Sequence, residues 1–135
     1  MEGGLWLQYG APNAFNHHQI FCDYDPQLGW QLKPNVSQRR VTPEYDHVET
    51  INADGFRDRR RERAKTPQTR RIAVLGDSFV EGYSVGDEQT FTRALERKYT
   101  TAARRPVEVF NLGVGGYSTD QQLLLWRNKG RQLRP

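Results

Sequence analysis

Two short segments of this 135-residue chain carry residues whose types and spacing could do chemistry. The first, Gly76-Asp77-Ser78-Phe79-Val80-Glu81-Gly82, follows the apolar run Ile72-Ala73-Val74-Leu75. The second, Asn111-Leu112-Gly113-Val114-Gly115-Gly116-Tyr117-Ser118-Thr119, follows another apolar stretch that begins at Val107. In the first, Gly76 allows a sharp exit from a strand. Ser78 then opens a helical turn, which exposes its hydroxyl and points its own N–H into a site. A serine nucleophile is one reading of that placement. The other is that Asp77 or Ser78 caps the turn, because Asp and Ser are preferred caps. Val80 stands where a G-x-S-x-G elbow needs its last glycine, so the segment is not of that type. In the second segment a dinucleotide fingerprint would place its glycines at Gly113, Gly115 and residue 118, which is serine. No acidic residue follows Asp120 to hold a ribose. The glycines instead suit close approach of backbone N–H donors to a small oxyanion.

Elements that could position these loops follow from the apolar pattern. Ile72 to Leu75 is short, apolar, partly β-branched and ended by Gly76, which predicts a strand buried on both faces of a parallel sheet. Phe91, Ala94, Leu95 and Tyr99 recur on one helical face, with Thr90 or Asp87 as N-cap. Pro106 ends that connection, and Val107 to Leu112 supplies a second strand. Ser118 and Gln121 form a capping box before Leu123-Leu124-Leu125-Trp126. The order β, α, β, α gives a right-handed crossover between parallel strands, with two bare sheet edges. In such sheets, sites form at the carboxyl ends of the strands, where both glycine-bearing loops fall.

Residues 1–58 read as an irregular region with short strands. Pro26, Pro34 and Pro43 exclude a long helix, Val48 to Ile51 has β character, and Asn52-Ala53-Asp54-Gly55 is a turn signal. Residues 59–70 read as a charged linker, and 71–135 as the α/β portion. The net charge of +4 is unevenly spread, because residues 57–71 hold eight basic and two acidic residues and the rest is slightly acidic. A nucleic-acid groove would interleave aromatic rings with those cations; this run has none and reads as solvated chain. Apolar residues make up 36% of the chain, and no window approaches the ~18 apolar residues of a membrane span. No signal peptide is visible, and the sequence leaves the compartment open. The single cysteine, Cys22, forms no internal disulfide. His17, His18, Cys22, Asp23 and Asp25 fit no standard zinc spacing and read as loop residues, so neither metal nor cofactor is expected. Trp6, Trp30 and Trp126 read as packing residues.

Arg71 to Ser84 resembles the first conserved block of the SGNH/GDSL hydrolases, a superfamily of esterases and lipases. Asn111 to Thr119 is similar to their second block. Leu28 to Asn35 and Asn52 to Asp58 resemble the leader of a bacterial subgroup, so the likeness covers roughly residues 24–135. The resemblance implies a partial flavodoxin-like parallel sheet and hydrolysis of acyl or acetyl esters of lipids, carbohydrates or small molecules. It makes Ser78 the nucleophile, the N–H groups of Ser78 and Gly116 oxyanion-hole donors, and Asp77 a structural support of its turn. The family's G-x-N-D and D-x-x-H blocks, which supply a third donor and the catalytic acid and histidine, have no counterpart here. His17, His18 and His47 all precede the serine. The expectation is therefore the N-terminal portion of such an enzyme, inactive by itself. The alternative is a non-catalytic binding module of a degenerate relative. A serine without a base stays protonated near neutral pH. The 135-residue chain should therefore hydrolyse p-nitrophenyl acetate no faster than its Ser78→Ala variant in a side-by-side assay; serine-dependent turnover would contradict this.

Overall fold

The computed structural model describes residues 20–135; His17, His18 and Trp6 lie outside them. The chain is mixed α/β. Strands β1 (Cys22–Asp25) and β2 (Gly29–Leu32) form one antiparallel hairpin, and β3 (Val36–Val41) and β4 (Asp46–Ile51) a second. Strands β5 (Arg70–Gly76) and β6 (Val107–Gly113) form a two-stranded parallel sheet. Helix α1 (Ser78–Glu81) leaves β5, α2 (Phe91–Ala103) makes the crossover, and α3 (Thr119–Asn128) follows β6. The short strands expected within the irregular N-terminal region pair as two hairpins among its described residues. Local chemistry builds their turns. Asp25 Oδ1 accepts the N–H groups of Gln27 and Leu28 at 2.9 and 2.8 Å, an Asx turn. The Asn52–Gly55 turn forms as the sequence predicts, Asn52 Oδ1 accepting from Asp54 N and Phe56 N.

The parallel pairing aligns Ile72 with Val109, Leu75 with Leu112 and Gly76 with Gly113, so both loops leave the same sheet edge. The capping box is also present, Ser118 N donating to Gln121 Oε1 at 3.0 Å. One core joins both sides of the charged segment: Phe21, Leu32, Ile51 and Phe56 cluster with Phe110, Leu112, Tyr117 and Leu125.

Three expectations are corrected. Ile72 to Leu75 are only half-buried, because β5 pairs with β6 alone; β6 is the enclosed strand, with Val107, Val109, Phe110 and Leu112 buried. On α2, Phe91, Ala94 and Tyr99 are exposed and Leu95 half-buried, whereas Thr92 and Glu96 are buried. The cause is an ion cluster. Glu96 accepts from Arg59, Arg61 and Arg93 at 2.6–2.8 Å and from the N–H of Val109 at 2.8 Å, which makes the polar face the packed one. The 57–71 segment is correspondingly not solvated throughout. Arg57, Asp58, Arg61 and Arg71 are buried. Arg61 pairs with Asp58 and Glu96 and donates to Val109 O, while Arg71 pairs with Glu108 and binds the carbonyls of Glu62 and Leu133. Buried guanidiniums persist when their nitrogens find acceptors, and here every guanidinium nitrogen of Arg57, Arg61 and Arg71 has one.

His47, on β4, sits beside Tyr45 with ring centroids 5.4 Å apart, and neither of its enclosed ring nitrogens has a hydrogen-bond partner among the described residues. Burial, then the Arg57 and Arg40 cations, push its pKa below the usual value, against smaller opposing effects of Asp87 and Asp46. A depressed histidine favours the neutral form in the folded state. Its contribution is complete above the unfolded pKa of about 6.5 and declines as pH falls toward the folded value. Urea unfolding between pH 7 and 5 should show stability falling with acidification and a flatter slope for His47→Gln. Parallel slopes would contradict the assignment.

Candidate functional site

Asp77 and Ser78 occupy the turn in which β5 becomes α1. Asp77 is the N-cap, its side chain accepting from Phe79 N at 2.9 Å, and Ser78 is the first helical residue. At the other end of this single turn, Gly82 adopts a left-handed conformation and returns its N–H to Ser78 O at 3.0 Å. Arg57 completes that end. Its buried guanidinium donates to the carbonyls of Glu81, Gly82 and Val85 and pairs with Asp87, a cation where helix carbonyls converge. So short a helix owes its form to these contacts rather than to propensity.

The second loop lies directly against the first. Val114 N donates to Gly76 O at 3.1 Å, and Gly115 N donates to Glu81 Oε2 at 2.5 Å. Asn111, 1% exposed, ties the two together, its amide donating to Val80 O at 2.9 Å while its oxygen accepts Gly113 N at 3.0 Å. Contact this close requires glycine. A β-carbon on Gly113 would lie 2.2 Å from Glu81 N and 2.6 Å from Val80 C, both backbone atoms. A β-carbon on Gly115 would lie 3.8 Å from that of Ser78, so Gly115 brings the loop to the serine. Gly116 has φ of +80°, a conformation that disfavours side chains. The Ser78 hydroxyl and the Gly116 N–H make no hydrogen bond among the described residues.

On the far side of this loop stands the first hairpin. Trp30 Nε1 donates to Gly115 O at 3.1 Å, and the Tyr117 hydroxyl donates back to Trp30 O. The two rings meet edge to face, 5.7 Å between centroids. A groove of about 420 Å³ opens beside Ser78, walled by Phe79, Tyr83, Val85 and Phe91.

The structure thus places Asp77 and Ser78 in one turn with Gly115 against Ser78, and Gly116 follows Gly115 in that loop with its β-carbon position against the Trp30 ring. It does not bring His47 to them by any hydrogen bond. Cys22 is a buried residue of β1 whose thiol is pushed up to about 12, first by burial and then by Glu81 and Glu49, so it stays protonated. Among the described residues no group of three or more His, Cys, Asp or Glu could hold a metal, and no helix is long and apolar enough to cross a membrane. Sequence reasoning missed four supports: Trp30, Arg57, Glu81 and Asn111. The one available signal was Asn111, a polar residue inside the mostly apolar run from Val107 to Leu112. Comparison with known protein families and with curated proteins finds no match to this chain.

The contact geometry ranks the glycines. Gly113→Ala forces backbone apart and should cost about 3 kcal/mol or more. Gly29→Ala, at a positive φ but with nothing within 4 Å of the new carbon, should cost about 1–2 kcal/mol. Denaturant titration of both variants checks the order; an equal or reversed ranking would contradict the loop contact.

Proposed function

We propose that this chain carries the nucleophile-bearing part of an SGNH-type ester hydrolase acting on acyl or acetyl esters. Ser78 is the nucleophile, the N–H groups of Ser78 and Gly116 are oxyanion donors, and Asp77 holds the turn. The observation that carries this reading is the meeting of a serine at a helix start with a glycine loop at the carboxyl edge of a parallel pair. Ester cleavage needs a hydroxyl open to attack and preset N–H dipoles where the tetrahedral oxygen develops, each donor worth on the order of 3 kcal/mol. The Ser78 hydroxyl and Gly116 N–H, unengaged by other described residues, are consistent with those roles. The apolar walls of the adjoining groove suit the acyl part of an ester. The general base belongs to residues not brought to Ser78 here, and the β5–β6 pair is part of a flavodoxin-like sheet of the SGNH type.

The gene product that contains these residues, assayed in full, should hydrolyse p-nitrophenyl acetate. Ser78→Ala should lower its kcat by roughly 1,000-fold or more. Full activity in that variant would sink the reading, and binding of an ester-free partner with no turnover would favour the interaction module.

A further inference from the structure

We propose that Trp30 is a positioning residue: by holding the Gly115 carbonyl, it fixes the direction of the Gly116 N–H. This rests on the hydrolase reading and extends it to the first hairpin. A peptide unit is planar and trans here, so its C=O and N–H point to opposite sides. The unit between Gly115 and Gly116 offers its carbonyl to Trp30 Nε1 at 3.1 Å, which turns the Gly116 N–H away from the hairpin. Neither residue has a β-carbon to resist rotation of that unit, and Gly116 already sits at φ of +80°. A flip would put a carbonyl oxygen where an oxyanion donor is needed. Two contacts oppose it. Glu81 holds Gly115 by its N–H, and Trp30 holds it by its carbonyl.

Trp30 is itself fixed on the loop. Its carbonyl accepts from Tyr117, its ring lies 3.1 Å from where a β-carbon of Gly116 would stand, and neighbouring hairpin atoms are tied to α3. Those ties are Gln121 Nε2 to Leu28 O at 2.7 Å and Asn128 Nδ2 to Gln27 Oε1 at 2.9 Å. The hairpin therefore delivers one indole N–H to one peptide of the site.

Trp30→Phe keeps an aromatic ring and removes that donor. In the full gene product with p-nitrophenyl acetate, it should lower kcat on the order of 10-fold or more, with KM little changed. Amide ¹⁵N relaxation dispersion should show exchange at Gly115 and Gly116 that wild type lacks, while the melting temperature stays close to wild type. Unchanged kcat, or a rise in KM alone, overturns the inference and leaves the hydrolase reading intact if Ser78→Ala is inactive. Wild-type turnover independent of Ser78 overturns both. Should Trp30→Phe fold poorly, Trp30→His, which retains a ring N–H, provides the second variant: partial recovery of kcat supports the donor role, and kcat no better than Trp30→Leu contradicts it.

Discussion

The absence of a side chain at Gly113 is the constraint on which the site depends. It lets the end of β6 touch the backbone of Val80 and Glu81, and the glycine loop reaches Ser78 through that contact. Asn111 and Glu81 then convert proximity into register, the first binding Val80 O and Gly113 N, the second binding Gly115 N. The contact adds to the Asp77 cap and the Arg57 guanidinium in holding a four-residue helix, since isolated helical turns do not form in water.

Charge does the structural work that apolar packing does in larger sheets. A two-stranded parallel sheet has little surface to bury, and β5 is only half covered. Arg57, Arg61 and Arg71 reach from one segment to α1, to α2 with β6, and to the 3₁₀ turn Gly130–Leu133. Each guanidinium nitrogen donates to a carbonyl or a carboxylate. Losing one partner would leave a buried charge uncompensated, a cost of about 3–5 kcal/mol. The same segment that gives the sequence its basic character therefore also supplies three internal ties.

What was legible in the sequence was local. The βαβ order, Ser78 at the start of a helical turn, the Asn52–Gly55 turn and the Ser118–Gln121 capping box are written in neighbouring residues, and each is present. What was hidden depended on partners far along the chain. The buried face of α2 could not be read from Phe91, Ala94, Leu95 and Tyr99, because Glu96 is buried by arginines about 35 residues earlier and by Val109. Arg57 and Arg61 look solvated in a run of like charges; apart from the nearby Asp58, their acceptors are supplied by the fold. Trp30 reads as a packing residue, and it packs, but its indole N–H finds Gly115 at a separation of 85 residues.

In the proposed hydrolase, Ser78 and Gly116 face one shared oxygen. The most direct test of that geometry is a crystal structure of the full gene product after reaction with a p-nitrophenyl phosphonate, which leaves a tetrahedral phosphorus on a reactive serine. The expected result is an adduct on Ser78 Oγ with one phosphonyl oxygen roughly 3 Å from both Ser78 N and Gly116 N. An adduct on another residue, or one at Ser78 whose oxygen turns away from Gly116, would contradict it.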